Sequence, residues 1–501
     1  MQLAGRRTGT GGVTGLSPVL LAATRPVRKP RSSTLLAALA GSLALSALAT
    51  GPASAAIGGT GVGDPYFPDD GNSGYHVSHY DVHVGYDPAH VDHLDGDTTV
   101  TATADEALDG FSLDLKGFTV ASVTVNDTPA KTFSRSGAHK LDITPAQQLA
   151  KGAKFTVRVR YAGKPVGSKW QRMKDGGAYV SGSPHSSRDW YPSNDHPSDK
   201  ATVQLTATVP DGWTAIGSGL PGKTTTGRTA DGKATKTFRW HEDSPMATYV
   251  TAFAVDKFTV HKSKLKDGKP VVIAYSPGAN TNQEWEDQLP EIIDFLSSKF
   301  GPYPFSSAGG IVVDGGDGPM AMETQSRPTY KGSMPDEAMA HEIAHQWFGD
   351  SVSVADWRNG CLKECFAQYS NQLYHEHFLG SDLDKGYYRD TVEENKNDPT
   401  YWNVKLYDPG KGEELDGALY AKGALMVHAL RRTVGDKAFF ATLKQWTHDH
   451  RGGSATWAQF EALAQKTSGK DLSGFFNAWA HSTKIPEKKY LYPGSLAKLA
   501  K

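Results

Sequence analysis

Apolar and polar residues alternate in short runs from Tyr75 to about Phe258, and Gly, Pro, Asp and Asn punctuate the runs. The runs His79–Val84, Thr98–Ala104, Thr119–Val125, Lys154–Tyr161, Thr202–Val209, Ala234–Trp240 and Thr248–Phe253 predict antiparallel strands. A stretch of roughly 180 residues made mostly of strand calls for a sandwich or an open saddle of sheets. Near residue 280 the period changes. Trp285, Leu289, Ile292, Ile293, Phe295 and Leu296 recur at helical spacing between Asn282 and Phe300, and Gly301-Pro302 stops the run. Ala308–Val313 reads as an apolar strand, and Asp416–Val434 and Ala455–Lys466 as further helices. The expected class is α+β: an extended lead-in over 56–74, an N-terminal antiparallel β saddle or sandwich over 75–257, and a mainly helical domain over 258–501.

With 501 residues, 38% of them hydrophobic and 10% aromatic, the chain is long enough for two or three packed cores. The formal net charge of −1 is uneven. Arg6, Arg7, Arg25, Arg28, Lys29 and Arg31 stand in the first 55 residues with no acid, so the remainder sits at −7. An acidic body argues against nucleic acid as a partner, because phosphate binding needs a basic surface. Residues 34–49 form an apolar run behind these basic residues and ahead of Ala53-Ser54-Ala55. That order is the pattern of a secretory signal peptide, and the run is short for a membrane span. Residues 1–55 are therefore expected to be a signal peptide, and the mature chain a secreted protein without stable membrane insertion. Cys361 and Cys365 are the only cysteines, so the fold is not a disulfide scaffold. A packed reduced pair and a local disulfide both fit their spacing.

The densest chemistry lies in His341-Glu342-Ile343-Ala344-His345, with Glu364 a further 19 residues along. Ser333-Met334-Pro335-Asp336 reads as a helix start, and a helix from Asp336 to Gly349 places His341 and His345 on one face. Two neutral imidazoles suit zinc, and a catalytic zinc takes three protein ligands and keeps one position open. Glu364 supplies the third ligand. Glu342 sits where a general base for the attacking water belongs. Cysteine ligation by Cys361 or Cys365 is the weaker alternative, since Glu364 completes the set.

His341 to Trp347, Gly349, Asp356-Trp357 and Leu362-Lys363-Glu364 resemble the core of the zinc aminopeptidases related to aminopeptidase N and leukotriene hydrolase. The segment from Trp190 to Lys200 resembles part of that family's N-terminal β domain, and Pro245–Tyr249 its last strand. Over about residues 75–485, the resemblance implies a β saddle followed by a thermolysin-like catalytic domain, without the large C-terminal helical domain of longer members. It also implies one zinc per chain on His341, His345 and Glu364, with Glu342 as the base. Met320-Ala321-Met322-Glu323-Thr324 is similar to the family's exopeptidase motif, with Met for Gly and Thr for Asn. Its Glu323 is the carboxylate expected to bind the substrate's free α-amine. Tyr420 matches the oxyanion-stabilising tyrosine. The expected activity is removal of N-terminal residues from peptides by a zinc-activated water. A zinc endopeptidase with an open cleft and a catalytically silent binding protein are the alternatives.

Overall fold

The computed structural model describes residues 56–334 and 336–500. The basic leader and its apolar run lie outside them, and so does Pro335 in the helix-start reading. Among the described residues, no helix is long and apolar enough to cross a membrane.

A nine-stranded sheet dominates the first half of the chain. Its central strands are β1 (Tyr75–Tyr86), β2 (Leu94–Ala104), β3 (Thr119–Val125), β4 (Lys154–Gly163), β5 (Ala201–Pro210) and β6 (Ala234–Met246), in the order β6-β5-β1-β2-β4-β3. The pairing corrects one expectation: β5 runs parallel to β1, with Thr202 opposite His79, so the sheet is mixed. A second correction concerns Thr248–Phe253. Thr248–Val250 is a 3-10 turn, and the following strand is Phe253–Asp256. In β1 the buried positions are Tyr75 and Val77, then Tyr80, Val82, Val84 and Tyr86. The phase slips between Val77 and His79, where the register with β2 shifts. A bulge of this kind moves later side chains to the other face, which is why regular alternation starts only at His79.

Two four-stranded sheets complete the β region. One joins Ala56–Ile57, Leu108–Asp114, Lys140–Thr144 and Thr132–Ser136; the other joins Trp170–Arg172, Ala178–Val180, Phe253–Asp256 and Thr214–Gly217. The lead-in is tied down along its length. Asp64 Oδ2 accepts the Trp357 backbone N–H at 2.9 Å and lies 3.1 Å from His196 Nε2. The Tyr66 hydroxyl donates to Asp408 at 2.6 Å and accepts from the Gly410 N–H at 2.8 Å.

A five-stranded sheet follows, formed by β7 (Thr259–Lys264), β8 (Pro270–Tyr275), β9 (Ala308–Val313), β10 (Ala321–Met322) and β11 (Thr329–Lys331) in the order β7-β8-β9-β11-β10. Helix α1 (Gln283–Phe300) carries the apolar stripe read from the sequence and is capped by the Asn282 side chain. Helix α2 (Asp336–His345) is shorter than expected. Residues 346–350 leave it as turns, because Gly349 adopts a φ of +124° that turns the chain back towards Val352. Helix α3 (Cys361–Phe378) packs on α2, α4 (Gly417–Val434) on α3, α5 (Asp436–Asp449) on α4 and α6 (Trp457–Ser468) on α5.

Lys200 stitches the β region to the segment after α2. Its ammonium donates to the carbonyls of Asp350 at 2.6 Å and Ser351 at 2.9 Å. Trp190 and Tyr191, in the aromatic segment that leads to Lys200, are fully buried and serve the core.

Candidate metal centre and active site

Helix α2 presents His341, Glu342 and His345, and the first turn of α3 presents Glu364. The two histidine Nε2 atoms lie 3.0 Å apart, at 3.5 Å and 3.4 Å from Glu364 Oε2. Their outer nitrogens are engaged: His345 Nδ1 lies 2.9 Å from the Phe348 carbonyl and His341 Nδ1 lies 3.1 Å from Gln368 Oε1. A carbonyl oxygen can only accept, so Nδ1 carries the proton and Nε2 keeps its lone pair for a metal. Bonds of about 2.05 Å to a tetrahedral zinc require ligand-to-ligand edges of about 3.3 Å. The observed edges bracket that value, and the nitrogen and oxygen donor set suits zinc.

Three carboxylates and one lysine share this buried space. Glu323 follows β10, and the Lys363 ammonium stands 2.6 Å from Glu323 Oε1 and 2.7 Å from Glu364 Oε1. Burial alone would raise both acids, but Lys363 brings Glu364 well below the usual carboxylate range and Glu323 down as well. Burial works against the lysine too, yet the two carboxylates hold its ammonium well above the ordinary range. Glu342 has no such partner. Burial, reinforced by Glu323 and Glu364, pushes its carboxyl up to about 8, and its Oε2 has no hydrogen-bond partner. Gln346 fixes the Glu323 segment to α2 by accepting the Ser326 N–H at 2.7 Å.

Tyr420 stands in the first turn of α4, whose N-cap Asp416 accepts the Ala418 N–H at 2.7 Å. Its ring stacks on His341 at 5.9 Å. Burial raises the phenol far above its usual range, so the hydroxyl stays a donor at any working pH. The close passage of α4 over α3 depends on Gly423, where a Cβ would meet Cys365 Sγ at 2.3 Å. The Cys361–Cys365 question has a definite answer: the pair is disulfide-bonded in the first turn of α3, with Cα atoms 4.8 Å apart, and neither sulfur faces the histidines as a ligand.

All six residues singled out from the sequence (Glu323, His341, Glu342, His345, Glu364 and Tyr420) line one cleft of about 610 Å³. Sequence reasoning missed Lys363 as a functional group. In the sequence it is only the neighbour of Glu364, and the fold alone places it beside Glu323 and Glu364.

Comparison with known proteins agrees with this geometry. Residues 76–250 match the peptidase M1 N-terminal domain and residues 291–479 the peptidase family M1 domain. The chain is 26% identical over 325 residues to aminopeptidase N of Streptomyces lividans, covering 59% of this chain and 37% of that protein. Aminopeptidase N of Lactococcus lactis is 28% identical over 342 residues, covering 60% of this chain and 38% of the relative. The chain thus spans about two fifths of the length of the curated relatives it matches. An M1 zinc metallopeptidase from Deinococcus radiodurans superposes with a TM-score of 0.77 at 30% identity, covering 85% of this chain and 98% of the other. A mutant of that protein has been solved with the substrate Tyr-Ser-Ala, at the same TM-score of 0.77. Fold and site together define a zinc metallopeptidase. The chain belongs to peptidase family M1.

Proposed function

We propose that this protein is an exported zinc aminopeptidase that hydrolyses the first peptide bond of peptides with a free N-terminus. One observation carries the reading: a carboxylate oxygen of Glu323, one of Glu342 and a ring nitrogen of His345 lie within 4.8 Å of one another, beside the His341–His345–Glu364 cluster. A carboxylate so close to the reacting centre favours a substrate whose ammonium is one residue from the scissile carbonyl. Lys363 engages Glu323 Oε1, which leaves Oε2 to accept from that ammonium. Membership of family M1 and the Tyr-Ser-Ala substrate of the Deinococcus relative support peptides as the substrate class.

His341, His345 and Glu364 would hold one zinc, which supplies a Lewis acid that acidifies water and polarises a carbonyl. Glu342 takes the proton of the attacking water and passes it to the leaving amine. Burial raises the proton affinity of its carboxylate. The Tyr420 hydroxyl donates to the oxygen that gains charge at the scissile carbonyl. Export rests on the basic and apolar pattern of residues 25–55, and N-terminal sequencing of protein recovered from culture medium tests it.

The function itself is tested with aminoacyl-fluorophores beside their N-acetylated twins, with and without a chelator. Chelator-sensitive cleavage confined to the free-amine set is the expected result. Equal cleavage of both sets would overturn the exopeptidase reading in favour of an endopeptidase.

A further inference from the structure

The β region contributes Lys169, Gly182 and Ser183 to the lining of the cleft. Lys169 differs from the other charged groups there. Glu323 and Glu364 share Lys363, and the histidine rings face Glu364. Among the described residues, no carboxylate lies within ion-pair distance of the Lys169 ammonium and no acceptor hydrogen-bonds it. Asp189 acts on it only at longer range, and its Oδ2 is taken by the Lys169 backbone N–H at 3.1 Å.

The side chain is nevertheless held in place. The Lys169 carbonyl accepts the Ser181 N–H at 3.0 Å, so the backbone is anchored on both sides. The lysine then lies across Gly182, where a Cβ would stand 2.7 Å from Lys169 Cδ and 2.9 Å from Nζ. Any other residue at 182 would push the ammonium off the wall, and the Gly182 φ of +130° disfavours one as well. Burial lowers the lysine below its ordinary range, which reports partial loss of water. A partly desolvated cation without a counter-charge costs free energy that an incoming anion recovers.

We infer that Lys169 is a specificity residue that receives a carboxylate of the bound peptide, on the reading that Glu323 holds its N-terminal ammonium. The cleft is lined by both the Glu323 carboxylate and the Lys169 ammonium, and a peptide offers the complement in two forms. An acidic first residue carries a carboxylate on its side chain, and a short peptide carries one at its C-terminus. The chemistry that Lys169 reads is the same for both.

The test uses the metal-loaded enzyme and its Lys169→Met and Lys169→Glu variants on two pairs of substrates. Glu- against Gln-fluorophore isolates the side-chain source, and Ala-Ala-Ala against its C-terminal amide isolates the terminal source. Lys169→Met should lower kcat/KM for the acidic member of one pair by about ten- to a hundredfold, through KM, and leave the neutral member unchanged. Lys169→Glu should in addition improve an Arg-fluorophore. The same acid and amide pairs are titrated calorimetrically into the Glu342→Gln protein with and without Lys169→Met, which needs no turnover. Loss of discrimination there supports the inference even if no substrate in the panel is cleaved, a result that would overturn the aminopeptidase reading alone. Equal change in both members of each pair, or no change in any, overturns the role of Lys169.

Discussion

Lys363 and Glu323 form a buried ion pair at 2.6 Å, and the same ammonium reaches Glu364 at 2.7 Å. One cation thereby sets the charge of a carboxylate in the metal cluster and of the carboxylate assigned to the substrate amine. Tyr249 and Trp357 present ring faces to it at 5.4 Å and 5.9 Å. Removing one partner of a buried pair leaves an uncompensated charge and typically costs about 3–5 kcal/mol. Lys363→Met should lower the Tm, weaken zinc retention on dialysis and raise KM for free-amine substrates. Unchanged zinc content and Tm would show that Glu323 and Glu364 do not depend on this lysine.

Glu342→Gln should keep the metal, because the residue lies beside the cluster of ligands and not in it. Turnover should fall by about 10²–10⁴-fold, the range for losing a general base. Tyr420→Phe should cost about 10²–10³-fold in kcat with little change in KM. Atomic absorption on the purified variants checks the metal, and His345→Ala is the control that should lose it. Loss of zinc in Glu342→Gln would contradict the assigned roles.

Gly423→Ala should disturb the site through packing. The added methyl would sit 2.3 Å from Cys365 Sγ, in a crossing where neither sulfur is exposed. Overpacking of this kind costs about 1–3 kcal/mol. Because Tyr420 is one turn away on the same helix, kcat should fall along with the Tm. A variant with normal kcat would show that the position of Tyr420 tolerates movement of α4.

Asp70, in the lead-in, makes a pH prediction. Burial alone would raise its carboxyl, but the hydrogen bond from His185 and the Arg188 guanidinium bring it down to about 2. A depressed carboxylate contributes stability above its unfolded pKa and loses that contribution as the pH falls towards the folded value. Asp70→Asn should therefore be about 2 kcal/mol less stable at neutral pH, and the gap should close between about pH 4 and pH 2. Denaturant melts of both proteins across that range would show it. A gap independent of pH would mean that Asp70 acts through shape and not through charge.

Much of the molecule was legible from local pattern. Strand β3 and strand β9 coincide with the expected Thr119–Val125 and Ala308–Val313, and α1 begins one residue after Asn282. β3 and α1 leave part of their surface exposed, and a period of two or of 3.6 residues records the buried face, whereas β9 is buried throughout and shows as a continuous apolar run. Legibility failed where long-range geometry overrode the period. Thr248, Tyr249 and Val250 are all strand-favouring residues, yet they form a buried 3-10 turn. The parallel pairing of β5 with β1 joins residues more than a hundred positions apart, and no local signal encodes such a partner.

The sequence by itself paired His341 with His345, since residues four apart on any helix share a face, and it marked Glu342, Glu364 and Glu323 through their motifs. Only the tertiary structure decided what surrounds them. It placed Lys363 between two acids, bonded Cys361 to Cys365, let α4 approach over Gly423 so that Tyr420 meets His341, and brought Lys169 into the cleft lining. The reason is one of range. Helical and strand geometry acts between near neighbours along the chain, whereas the charge balance and the walls of a cleft are set by residues that only packing brings within a few ångströms.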